Sequence, residues 1–334
     1  MKKVFQGLLK YGVPVVIGFG LFYFLYHNVD LQQMKKVLES DVQYWWFIPV
    51  AVVSVFSHIF RALRWKLQLD SMNIHAPVSA LVNSIFGTYA VNLVFPRLGE
   101  VWRSGYIASR QKAPFTKVFG SMVSERLCDT ATVFLLLLFS MIVAGPAFER
   151  FFNTYPQVQQ GLVNLATNPL VWAAVAAVIA FLVWLFKSNS QNSVVLKVRG
   201  MVANLWAGFA SVGQMEKKWQ FLIYTVLLWG CYFMQLYIAT FAFSFTQDLG
   251  VVAVLVLFVL SSIGMGVPTN GGLGAWHIAI IFGLSLYGVG VFNTNSLDPQ
   301  ASAFAMMVWG FQTLLLIVLG IYAFAYISLE KKEK

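Results

Sequence analysis

VSALVNSIFGTYAVNLVFPRLGEVWR, residues 78–103, is the stretch on which the fold turns. Residues 78–94 form an apolar run, and NLVFPRLGEVWR, residues 92–103, then sets Pro96, Arg97, Gly99, Glu100 and Arg103 directly behind it. Basic residues flank the run on both sides: Arg61, Arg64 and Lys66 before it, and Arg103, Arg110, Lys112 and Lys117 after it. Cytoplasmic segments of membrane proteins retain Lys and Arg. With both flanks on that side, the run has to enter the bilayer and return, and Pro96 and Gly99 sit where it reverses. Proline cannot continue an i to i−4 hydrogen-bond ladder, and glycine reaches backbone angles that other residues avoid.

The composition puts this hairpin in a membrane protein. Of 334 residues, 59% are hydrophobic and 11% charged, with a mean hydropathy of +0.71, against about 25% charged residues in a water-soluble domain. Further apolar runs cover residues 8–26, 44–60, 118–144, 170–186, 221–245, 251–267, 273–291 and 301–327. Several reach the roughly 20 residues of helix that cross a hydrocarbon core. Strand-like alternation is absent, so the expected fold is all-α, a polytopic transmembrane helical bundle. The first run follows Lys2, Lys3 and Lys10 without a small-x-small cleavage site behind it, and is expected to stay as a helix. Cys128 and Cys231 supply neither a disulfide framework nor metal-ligand spacing. The net charge of +10 is scattered among short loops, which indicates cytoplasmic anchoring and no nucleic-acid partner.

Loop charge sets the orientation. The N-terminus, the segment around Arg61, the loop 187–218 and the EKKEK end are expected in the cytoplasm, whereas 28–43, 145–168 and 293–300 are poor in positive charge and expected outside. The location implied is a cytoplasmic (inner) membrane, crossed by about six full spans. Residues 251–291 lie between two external segments, TQDLG (246–250) and FNTNSLDPQ (292–300), and so form a second hairpin from the opposite face. Its break is PTNGGLG, residues 268–274, with Pro268, Gly271, Gly272 and Gly274. Both breaks read Pro-x-x-Gly, and Trp102-Arg103 after the first is echoed by Trp276-His277 after the second. Two opposed re-entrant hairpins, one in each half, are the signature of an inverted-repeat transporter; two unrelated glycine-containing loops are the alternative. A single integral domain, 1–334, is expected, its halves about 1–145 and 170–330 joined by an external loop.

The charged residues of the first half concentrate in Arg97, Glu100 and Arg103 and in SERLCD (124–129), which carries Glu125, Arg126 and Asp129. On a helix Glu125 and Asp129 share a face, and Arg126 stands three residues before Asp129. Charges at depth cost ~2.5–3.5 kcal/mol each by insertion scales, so they must face protein or water and pair; Arg97 and Arg103 are the expected partners. Three roles are open to the cluster: pinning the hairpin to the next helix, gripping a phosphate-bearing head group with guanidinium forks, or relaying protons through Glu125 and Asp129. His277, at a helix start, is either a titrating or substrate-bonding group or a packed histidine. Arg61 and Arg64 beside Trp65 read as an interfacial anchor for anionic lipid heads. PTNGGLG lacks the following Lys-Ser or Lys-Thr of a nucleotide loop, and its backbone N–H groups suit an anion in a cavity. No nucleophile elbow or zinc-ligand spacing occurs, so neither a cofactor nor a metal is expected.

PRLGE (96–100) with Arg103, SERLCD (124–129) and PTNGGLG (268–274) together resemble the lysylphosphatidylglycerol synthase transmembrane-region family, the flippase-like domain on the N-terminal side of the multiple peptide resistance factor. The resemblance covers nearly the whole chain. It implies a domain that moves phospholipid or isoprenoid-linked lipid between leaflets, with a separate soluble synthase domain for which this chain leaves no room after EKKEK. Arg97, Glu100, Arg103, Glu125, Arg126 and Asp129 carry over as the functional cluster. His277 stands where the family commonly has a glutamate, and Asn270 replaces a usual proline, so the charge of that half-site is altered and a preference for cationic lipid is left open. The readings left open are a lipid or lipid-linked head-group translocase, a non-transporting subunit that presents lipid to a partner lipid-modifying enzyme, and an intramembrane lipid transferase.

Overall fold

The computed structural model describes residues 29–154, 156–188, 191–193, 195–200, 202–203, 215–267, 269–292 and 297–332, together with 20, 22, 23 and 27. Most of the first apolar run, much of the 187–218 loop and Pro268 lie outside the described residues. What is described is helical, with no sheet. The helices are α1 (Leu31–Ser40), α2 (Phe47–Ser71), α3 (Val78–Val94), α4 (Leu98–Arg110), α5 (Phe115–Val143), α6 (Gly145–Thr154), α7 (Pro156–Thr167), α8 (Pro169–Lys187), α9 (Lys218–Thr240), α10 (Val251–Gly266), α11 (Ala275–Ser285) and α12 (Pro299–Lys332). Five segments are long and apolar enough to cross a membrane: Tyr44–Ser71, Phe115–Val143, Pro169–Lys187, Lys218–Thr240 and Pro299–Glu330.

The two broken runs fold as helix pairs, α3 against α4 and α10 against α11. With 17 residues in α3 and 16 in α10, a rise of 1.5 Å per residue makes each about 25 Å long, short of the ~30 Å hydrocarbon core. The first break follows from Pro96: Phe95 before it is extended, as that position requires, and Arg97 takes the left-handed conformation at φ 63°. A side chain there costs roughly 1–2 kcal/mol, so the turn is held by its surroundings. Gly99 then lets α4 lie directly on α3, because a Cβ at this position would stand 2.2 Å from Thr88 O. In the second break Gly271 and Gly272 have φ 57° and 78°, values that glycine adopts without steric cost.

The pairs pack at opposite ends of α2. Trp65 and Leu69 from its C-terminal half join Leu81, Ile85, Ile107 and Val118 around the first pair. Phe47 and Val50 from its N-terminal end join Leu257, Ile281 and Phe304 around the second. Along α12 the order is the same: Glu330 pairs with Arg110, Phe324 meets the Trp102 ring at 5.2 Å, and Trp309 Nε1 donates to Gly271 O at 2.8 Å. Gly320 lets α3 approach, since a Cβ there would lie 2.3 Å from that of Ala90; close backbone approach is what holds helices together in lipid, where apolar burial gives no net drive.

Residues 145–167, expected as an external loop, form α6 and α7. Ala147 anchors α6 against Val256 of α10, so its apolar face has a partner and helix wins over loop. On α8, by contrast, Leu185 is the buried residue and nearly all the others are exposed.

Candidate functional site

The helix α2 runs eleven residues beyond the apolar run 44–60 from which it was read. Along it Ser54, Ser57, His58, Arg61, Arg64 and Gln68 recur at helical spacing, and all six are buried. This overturns the reading of Arg61 and Arg64 as interfacial anchors: their side chains are 3% and 0% exposed. They face α5, where Glu125 and Asp129 do share one face, as their spacing predicts. Arg61 Nη1 donates to Glu125 and, at 3.0 Å, to Asp129 Oδ2. Arg64 Nη2 donates to Glu125 Oε1 at 3.2 Å and Asp129 Oδ1 at 2.7 Å. The signal for this was present in the sequence: a polar stripe of period 3 to 4 that continues from an apolar run marks a buried polar face, whereas an interfacial anchor needs only a terminal pair.

The first pair adds Arg103 from α4. Its Nη2 donates to Glu125 Oε2 at 2.8 Å, and its guanidinium lies 4.5 Å from the centre of the Trp65 ring. Trp65 in turn donates to Ser121 Oγ at 2.9 Å, which ties α2, α4 and α5 around the charges. Behind the cluster, Arg61 Nε donates to Tyr232 of α9 at 3.2 Å. Arg103 is thus the expected partner of SERLCD. Arg97 is not: its Nη2 donates to Gly266 O at 3.0 Å, because the left-handed turn aims it at the second pair and away from α5.

Arg97, Glu100 and Val101 on one side and Phe119, Met122, Val123 and Arg126 on the other line a cavity of about 230 Å³ between the first break, α4 and α5. Arg126 stands 3.9 Å from Glu125 Oε1 and 3.8 Å from Asp129 Oδ2, too far for a hydrogen bond. Its side chain is 31% exposed. Glu100 is oriented by Asn92, whose Nδ2 donates to Glu100 Oε2 at 3.1 Å while its Oδ1 accepts from Gly99 N at 2.8 Å. Asn92 therefore caps α4 from the preceding helix, a role that no local spacing signals. Among the described residues, five arginines (Arg61, Arg64, Arg97, Arg103 and Arg126) thus gather with three carboxylates, Glu100, Glu125 and Asp129. The positive excess borders the cavity.

The second break meets the first. Asn270 Nδ2 donates to Leu93 O at 3.0 Å and to Val94 O at 3.2 Å. Gly271 presents its carbonyl to Trp309, Gly272 seats against Met265, where a Cβ would lie 2.3 Å from Sδ, and Gly274 precedes α11 at φ 80°. His277, fully buried on α11, lies among the rings of Phe22, Trp276 and Trp309, at centroid distances of 5.2–5.8 Å. It is packed away from the cavity that Arg97 lines, and Pro268 lies outside the described residues.

Five segments long and apolar enough to cross a membrane, two broken helix pairs and a buried arginine–carboxylate cluster define a multi-pass helical membrane protein with a charged interior. The chain belongs to the family described as Lysylphosphatidylglycerol synthase TM region, which it matches over residues 12–321. Among curated proteins it is similar to "Glycosyltransferase AglD" of Haloferax volcanii, with 31% identity over 84 residues. That match covers 25% of this chain and spans 14% of the relative's length. No solved structure matches the chain.

Proposed function

We propose that this protein binds a phosphate-bearing lipid or lipid-linked head group and helps to move it between the leaflets of the cytoplasmic membrane. The observation that carries the reading is that Arg97 and Arg126 line the cavity in a cluster of five arginines and three carboxylates, so that the site keeps an excess of positive charge. A phosphate accepts bidentate bonds from guanidinium groups, and both side chains are accessible from the cavity, Arg97 being exposed and Arg126 31% exposed. Glu100 supplies the acceptor for a hydroxyl or ammonium on the same head group. Arg103, Glu125 and Asp129, with Arg61 and Arg64, fix α4 and α5 on either side and set the charge of the site; Gly271, Gly272, Gly274 and His277 shape the opposing pair.

The proposal takes both helix pairs as re-entrant, in two halves of opposed orientation, with both termini in the cytoplasm. Support comes from their lengths and from their packing at opposite ends of α2 and α12, where charge-poor and charge-rich connections alternate. A second reading, in which the protein presents lipid to a partner enzyme, is favoured by the likeness to a glycosyltransferase.

Translocation is tested in proteoliposomes with fluorescent phosphatidylglycerol, neutral glycolipid and isoprenyl phosphate. The expected result is faster leaflet exchange of phosphate-bearing lipid, lost in Arg97→Ala and Arg126→Ala. Unchanged exchange of all three lipids, with and without a proton gradient, sinks the translocase reading.

A further inference from the structure

Each break caps the first helix of the other pair. Leu93 and Val94 end α3 and Gly266 ends α10, and the last four carbonyls of a helix have no partner within it. Asn270 reaches across to Leu93 O and Val94 O, and Arg97 reaches back to Gly266 O. Away from water an unsatisfied carbonyl is costly, and a guanidinium at a helix C-terminus also meets the negative end of the dipole. These crossed caps hold the two tips together.

While bonded to Gly266 O, Arg97 also lines the cavity with Glu100 and Arg126. A phosphate in the cavity competes with Gly266 O for the Arg97 N–H groups, and its charged oxygens are stronger acceptors than a neutral carbonyl. We propose that an anionic head group entering the cavity draws Arg97 off Gly266 O, so that occupancy of the cavity unlocks one of the two crossed caps and lets the tips part at Asn270. The inference rests on the head-group reading of the cavity and adds how binding is coupled to opening.

The test uses the full chain with Cys128→Ser and Cys231→Ser. Leu93→Cys and Gly271→Cys form a reporting pair, since Leu93 Cδ2 lies 3.0 Å from the Cβ position of Gly271. Gly271 is left-handed, so Leu93→Cys alone, read by its rate of maleimide labelling, gives the same information without backbone strain. Phosphatidylglycerol vesicles are expected to slow disulfide formation and speed labelling by about tenfold, the equivalent of ~1.4 kcal/mol and of one charge-assisted hydrogen bond. Vesicles of neutral glycolipid should leave both rates unchanged. Arg97→Gln should show the open rates with or without lipid. An equal effect of inorganic phosphate supports the anion trigger and removes the lipid tail from it. Phosphatidylglycerol that is retained in an Arg126-dependent manner, with both rates unmoved, overturns the unlocking and leaves the binding site standing. Absence of such retention overturns the head-group reading and the unlocking with it.

Discussion

Replacing Glu125 by Gln tests whether the buried cluster holds the first pair in place. Glu125 is fully buried and accepts from Arg61, Arg64 and Arg103. Arg61 and Arg64 keep Asp129 as a partner after the change, whereas Glu125 is the carboxylate that Arg103 holds at 2.8 Å. Removing one side of a buried pair costs about 3–5 kcal/mol, because the other charge stays behind unmatched. The amide oxygen of Gln still accepts one bond, which puts the expected loss near the lower end, about 3 kcal/mol. Asp129→Asn leaves Glu125 for both α2 arginines and should cost less, ~1.5–3 kcal/mol, the range for hydrogen bonds to charged groups. Arg126→Gln removes a side chain with no carboxylate inside hydrogen-bond distance and should cost under about 1 kcal/mol. Thermal unfolding in detergent, followed by tryptophan fluorescence, should therefore rank Glu125→Gln lowest, about 6–12 °C below the parent at ~2–4 °C per kcal/mol. Asp129→Asn should come next and Arg126→Gln near the parent. A Glu125→Gln protein within 1 °C of the parent, or an Arg126→Gln protein as destabilised as Glu125→Gln, would refute the assignment of the cluster as a structural clamp.

Two further outcomes are expected. Gly99→Ala drives a methyl group into Thr88 O, so α3 and α4 must separate; a loss of about 1–3 kcal/mol is expected from such overpacking, read as a lower midpoint in the same unfolding assay, with normal stability speaking against the close pair. Single cysteines at Ser79 and Arg110 should be labelled by a membrane-impermeant thiol reagent from the same side of oriented vesicles, and labelling from opposite sides would mean that 78–94 crosses.

The break in the first pair was legible because its causes are local. Pro96 fixes the extended Phe95 and Gly99 admits a neighbouring backbone, so NLVFPRLGEVWR announces the turn wherever it stands. Continuous apolar composition likewise marked the segments long enough to cross, and four of the five described ones extend beyond their apolar runs by more than a residue or two at one end or the other. The same habit concealed the site. Ending the second run at residue 60 left Arg61 and Arg64 outside the membrane-buried body, although the helix carries them inward.

By itself, then, the sequence determined the helical membrane class, the two breaks, and the shared face of Glu125 and Asp129, since each of these depends on residues within a few turns of one another. Only the tertiary structure decided which arginines meet those carboxylates, that Asn92 caps α4, and that Arg97 turns to Gly266 in place of α5. Those pairings join residues as far as 169 positions apart. Their energies depend on depth and on distances of a fraction of an ångström, which helical spacing along one chain segment does not encode.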